Sequence, residues 1–170
     1  MHTLISGRSG SGKSTLAFHL SRIARRRSRV MVFDPFTASG WDADEIYDDI
    51  DNLKSRLEET DGAVVFLDEA GQYLNRYDAD HHWFATVSRH YGHRVHFIAQ
   101  RWSQFPPIIR TNCSANYVLN QRREDIDQIM IDYDCEIDPI IPQFQGYWLR
   151  NFKPPIKFSV HPDRLTIVGQ

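Results

Sequence analysis

The stretch Leu4–Thr15, LISGRSGSGKST, constrains this chain more than any other. Gly7 to Ser14 read G-x-x-x-x-G-K-S, and the flanks are those the pattern needs. An apolar, β-branched run over Thr3–Ser6 precedes it, and helical periodicity through Leu16, Leu20, Ile23 and Ala24 follows. In such a strand–loop–helix unit the backbone amides of Arg8 to Lys13 can turn inward around a β-phosphate, and the helix N-terminus adds positive potential. Glycine at 7, 10 and 12 allows conformations that a Cβ would obstruct. The expected phosphate-binding set is Gly7, Arg8, Ser9, Gly10, Ser11, Gly12, Lys13, Ser14 and Thr15. Lys13 is expected to reach the β- and γ-phosphates, and Ser14 to ligate Mg2+.

A loop of this kind sits at the end of a sheet, and the rest of the chain supplies one. RVMVFD ends at Asp34 and is stopped by Pro35, and AVVFLDEAG (63–71) is a continuous apolar run ending in two carboxylates. RVHFIAQ reads as a fourth strand and NYVLNQ as a fifth. Strands alternating with helical segments make the fold α/β with a mainly parallel sheet and helices on both faces. Between Trp41 and Thr60, Ile46, Ile50, Leu53 and Leu57 recur at helical spacing in an acidic stretch, which reads as one or two surface helices. A helix is expected from about Phe84 to His90. Past Arg123 the pattern weakens to a short helix near Asp125–Ile131, a possible strand GYWLRNF, a break at Pro154 and Pro155, and a tail. A chain of 170 residues, 41% hydrophobic, buries one core, so 1–170 reads as a single domain, with a core over about 1–123 and an extension over about 124–170 packed on it.

Twenty basic residues against 22 acidic ones give a net charge of -2, so a polyanion has to be met by a local basic patch. Cys113 and Cys135 have no CxxC spacing, which favours free thiols in a reducing, cytoplasmic compartment. No apolar run approaches the roughly 20 residues of a membrane span. His81, His82, His90, His93 and His96 lack a convergent metal-ligand spacing. Trp41, Trp83, Trp102 and Trp148 read as core or interface residues, and which of them stacks on a base is open. The acidic run Asp42–Asp51 reads as a solvated face.

Asp68 and Glu69 provide the other half of a hydrolytic site. At the end of a buried strand, Asp68 can hold the metal through water, and Glu69 can orient and deprotonate an attacking water. That glutamate favours hydrolysis over transfer to a small-molecule acceptor.

The segment Ser88–Asn112, SRHYGHRVHFIAQRWSQFPPIIRTN, together with GRSGSGKS, FDP and FLDEA, resembles the FtsK/HerA superfamily of P-loop motors over about residues 3–121. Arg89 and Gly92, Gln100, Pro106 and Pro107, and Asn112 stand at the places of that pattern. Ala99 and Trp102 replace the usual threonine and proline around the glutamine. The resemblance implies an ASCE/RecA-like P-loop sandwich with strand order 5-1-4-3-2, ATP and Mg2+ as cofactors, and Lys13, Glu69, Gln100 and Arg89 as catalytic residues with Ser14 and Asp68 on the metal. Such motors work as rings in which one subunit's arginine completes a neighbour's site. Arg89 is the first choice for that role, with Arg101 and Arg110 behind it. Double-stranded DNA is the implied substrate, met through Arg76 in the Gln72–Trp83 loop or through Arg25–Arg27. The brevity of the chain points to viral genome packaging by a pentameric or hexameric ring in the host cytoplasm, virion-associated through a capsid or portal protein. A Zot-like assembly ATPase, a P-loop small-molecule kinase and a nucleotide-dependent switch are the alternatives.

Overall fold

The computed structural model describes residues 1–37, 40–74 and 79–168. The apolar runs become strands buried along their whole length: β1 (His2–Ser6), β2 (Val30–Phe33) and β4 (Val64–Leu67). With β3 (Glu45–Tyr47), β5 (Arg94–Ala99), β6 (Cys113–Leu119), β7 (Gln145–Arg150), β8 (Lys153–His161) and β9 (Arg164–Val168) they form one sheet of nine described strands in the order β3-β2-β4-β5-β1-β6-β7-β8-β9. The possible strand GYWLRNF is β7, and the five core strands read from the sequence are β1, β2, β4, β5 and β6. They stand side by side in the expected order, and every pairing among them is parallel. Continuous burial on both faces is what a parallel sheet covered by helices requires.

One face carries α2 (Ile50–Glu58), α4 (Ala79–Thr86), α5 (Pro107–Asn112) and α6 (Arg123–Tyr133), which bring Leu53, Leu57, Phe84, Ile109, Ile126 and Ile129 onto Leu4, Phe33, Val65 and Phe97. The other face is covered by α1 (Lys13–Arg25). Leu16 and Ala17 pack on Ile5, Val32, Phe66 and Ile98, and Phe158 and Val160 of β8 join the same cluster. His19 Nε2 lies 2.6 Å from His161 O, which ties α1 to the C-terminal strands.

Three local readings are corrected. The 41–60 stretch holds one helix, α2, capped by Asp49, whose side chain accepts from the Asp51 and Asn52 amides. Ahead of that helix lies edge strand β3, whose Ile46 is half exposed. Pro154 and Pro155 do not end the sheet but open β8. Its ladder with β9 begins only at Lys157, so the missing N–H groups cost no pairing on that side. The Phe84–His90 helix is instead α4 plus a 3-10 turn over Ser88–Tyr91, closed by Gly92 at φ 76°.

The acidic run is not a bare solvated face. Arg25, at the end of α1, pairs with Asp42 (3.1 Å) and Asp44 (3.0 Å), while Asp44 also accepts the Val30 amide (2.8 Å). Glu45 gathers the Tyr47 hydroxyl (2.6 Å) and Arg56 (3.2 Å). Both cysteines are free, and burial pushes the Cys113 thiol up. Among the described residues no helix is long and apolar enough to cross a membrane.

Candidate nucleotide site

The loop after β1 is fixed from both neighbouring strands. The Gly7 N–H donates to Ala99 O at the end of β5 (3.3 Å), and the Arg8 N–H donates to Asn120 O just past β6 (2.8 Å). The Ser11 N–H donates to Arg8 O (3.1 Å) inside the loop. Two of the amides expected to face a phosphate, those of Arg8 and Ser11, are thus committed to backbone. Gly12 starts α1 at φ 106°, and a Cβ there would stand 2.9 Å from Phe144 Cδ1 and 3.0 Å from Val160 Cγ1. Left-handed backbone and close cover together require glycine.

Lys13 is buried, and its Nζ donates to Arg8 O (3.2 Å) across the loop. Burial lowers its pKa, and the charges of Glu69 and Asp68 act in the opposite direction. Asp68 follows β4. Burial first, then the negative charges of Glu69 and Asp34, push its carboxyl up to about 6, against the acceptance of the Glu69 N–H and the charge of Lys13. Asp34, wholly buried after β2, accepts the Phe36 amide (2.9 Å) and the Trp41 indole (2.9 Å). Glu69 sits in the left-handed region at φ 49°, where short α3 (Ala70–Tyr73) begins. A non-glycine residue held there is a strained position of the kind that active sites retain.

Strand β5 lies between β1 and β4, so Gln100, the residue after it, emerges between the phosphate loop and the two carboxylates. Its Nε2 donates to Glu69 Oε1 (3.2 Å). Gln72 Nε2, from α3, donates to Glu69 Oε2 (3.1 Å). Sequence reasoning missed Gln72. It also missed Gln121, whose Oε1 accepts the Trp102 amide (3.1 Å) and whose Nε2 donates to Ser6 Oγ (3.1 Å), buckling the turn after Gln100 to the base of the phosphate loop. An apolar run ending in DEAGQ carries Gln72 in plain sight, but nothing in the local pattern marks Gln121.

Arg89 is placed elsewhere. It lies ahead of β5, at the end of the strands away from the loop, where it donates to Ala85 O (2.7 Å) and to Asn112 Oδ1. Among the described residues it makes no contact with the phosphate loop or with Asp68 and Glu69. Arg101 is paired with buried Asp125 (2.9 Å), and Arg110 with Asp132 (3.6 Å) beneath the Trp102 ring. Arg76 lies outside the described residues. His93 is used structurally, since Nδ1 accepts the Ala63 amide (3.1 Å) and Nε2 therefore donates to Leu57 O (3.0 Å). The Ser14 hydroxyl and the Asp68 carboxylate are hard oxygen donors of the kind Mg2+ takes, and a partly buried carboxylate with a raised pKa is an anion that a divalent cation offsets.

The sequence matches no protein-family model and no curated protein. Solved structures do match. The genome packaging NTPase B204 from Sulfolobus turreted icosahedral virus 2, in complex with ATP-gammaS, superposes with a TM-score of 0.66 at 14% identity over 97% of this chain and 95% of that one. The fold is that of a P-loop ATPase. VirB4 of Thermoanaerobacter pseudethanolicus matches with a TM-score of 0.72 at 12% identity, over 94% of this chain and 89% of that one. The pCW3 conjugation coupling protein TcpA, with ATPgS, gives 0.66 at 14% identity, over 96% of this chain and 60% of that one.

Proposed function

We propose that this chain hydrolyses ATP with Mg2+ and uses the cycle to translocate double-stranded DNA, as the packaging motor of a viral genome. The observation that carries the reading is the position of β5, which puts the Gln100 amide on the Glu69 carboxylate beside Lys13. Ser14 and Asp68 would hold Mg2+, which when bound would supply charge neutralisation at the phosphate oxygens. Lys13 binds the same oxygens. Glu69 accepts a proton from the attacking water, and Gln100 and Gln72 hold its carboxylate in one orientation through neutral amides that leave the local charge unchanged. A positioned base for water suits hydrolysis, whereas a small-molecule kinase has to keep water away.

Likeness over nearly the full length of both chains to a viral genome packaging NTPase supports the packaging role. The site of Arg89, remote from its own loop, fits action on a neighbouring subunit in a pentameric or hexameric ring. Capsid or portal protein is the docking partner of such a ring in the host cytoplasm. Arg25 is neutralised by Asp42 and Asp44, so DNA contact falls to the Gln72–Trp83 segment or to the remaining arginines at the α1 end, with affinity that drops as salt rises. The test is ATP turnover with and without linear duplex DNA, alongside solution mass. DNA-stimulated hydrolysis by a multimer is expected. A monomer that transfers phosphoryl groups to a small acceptor, or one inert under every condition, overturns the reading.

A further inference from the structure

The C-terminal extension reaches back onto the phosphate loop. Gln143 Nε2 donates to Gly10 O (2.9 Å), the Phe144 N–H donates to Ser11 O (3.1 Å), and the Val160 N–H of β8 donates to Phe144 O (2.8 Å). From the β6 side, the Asn120 amide side chain donates to Ile141 O while its backbone carbonyl holds Arg8. Phe144 is kept at φ 59°, a left-handed conformation made tolerable by its being bonded on both sides. A cavity of about 240 Å³, lined by Arg8, Ser9, Gly10, Ser11, Asn120 and Gln143, lies within this frame.

A triphosphate held along the loop runs from one side of it to the other. Its γ end belongs with Lys13, Asp68, Glu69 and Gln100, on the β5 and β4 side. The nucleoside end must then leave toward β6, the side on which Asn120 and Gln143 line the cavity. We propose that this cavity receives the sugar and base of the nucleotide and that Gln143, a residue of the C-terminal extension, contacts them. The sense of the Gln143 amide is fixed, because Gly10 O can only accept and so takes the NH2 group. That leaves Oε1, on an exposed side chain, as the acceptor for a ribose hydroxyl or for an N–H of the base. None of the four tryptophans lines the cavity, so hydrogen bonding and the loop backbone, without an indole stack, define the nucleoside end. The inference deepens the nucleotide reading of the loop and rests on it.

The test measures dissociation constants of Mg-ATP and of Mg-tripolyphosphate, which has the phosphates and no nucleoside, for the wild type, Gln143→Ala and Lys13→Ala. One hydrogen bond of ordinary strength corresponds to a loss of about 3- to 10-fold, so Gln143→Ala is expected to weaken ATP by that factor and leave tripolyphosphate unchanged. Lys13→Ala is expected to weaken both. Equal weakening of the two ligands by Gln143→Ala, or no effect on either, overturns the proposal: Gln143 then only staples the loop, and the phosphate site stands. Wild-type protein that binds neither ligand overturns the nucleotide reading, and the proposal with it.

Discussion

Asp68→Asn should make the nucleotide-free protein more stable while removing its use of magnesium. The Asp68 carboxyl is raised from an ordinary 3.8 to about 6, chiefly by burial, so keeping it ionised in the folded state costs about 3 kcal/mol. The folded protein binds more protons than the unfolded chain between those two values. Stability on this account is greatest below pH 4, falls as pH rises toward 6, and is flat above. Asparagine removes the charge and keeps an oxygen for the Glu69 N–H. The attraction of Lys13 is already contained in that figure, so the gain at neutral pH is up to about 3 kcal/mol, or roughly 6–12 °C in Tm for a chain of this size. The assay is thermal unfolding in EDTA at pH 7.5 and pH 4.5. The variant should melt higher at pH 7.5, with the gain much reduced at pH 4.5. Adding Mg-ATP should then raise the wild-type Tm, as binding to the folded state does, and raise that of the variant much less. A variant less stable than wild type at pH 7.5, or altered equally at both pH values, refutes the picture of a partly buried carboxylate waiting for its cation.

Gln100→Ala removes a hydrogen bond to a charged acceptor, an interaction of about 1.5–3 kcal/mol, and should slow ATP turnover by about 10- to 100-fold with KM little changed. Wild-type kcat would remove Gln100 from the machinery. Arg89→Ala should retain affinity for ATP and lose turnover, and mixing it with the equally inactive Glu69→Gln should restore part of the rate. That mixture creates interfaces joining an intact Arg89 to an intact Glu69, so absence of any recovery argues against action between subunits. Gly12→Ala forces a Cβ against Phe144 and Val160 on left-handed backbone, and should lower both Tm and ATP affinity, the first read by thermal melts and the second by titration.

The parallel core and the residues proposed for most of the candidate site are legible because their signals are local. An apolar run ending in Asp68-Glu69 fits a buried strand with carboxylates at its tip, and Lys13 is marked by the glycine pattern around it. Gln100 was legible only through resemblance, and its contact with Glu69 depends on strand order, which no window of sequence encodes. What escaped was non-local. The half-exposed strand β3 has the composition of a surface helix, and its place comes from Asp44 and Glu45 answering Val30, Arg25, Arg29 and Arg56. Pro154 and Pro155 read as a break because the ladder they leave unspoiled is known only once β9 is seen to start beyond them. Gln143 and Gly10 are separated by 133 residues, so a tail without a motif became a wall of the site.

If hydrolysis at Lys13, Asp68, Glu69 and Gln100 moves duplex DNA, a third strand annealed at one end of a linear duplex is displaced as the protein advances. Release is expected to require hydrolysable ATP, to disappear in Lys13→Ala and Glu69→Gln, and to be delayed in proportion to the length of duplex ahead of the third strand. ATP hydrolysis that proceeds on the same DNA without any displacement would contradict translocation.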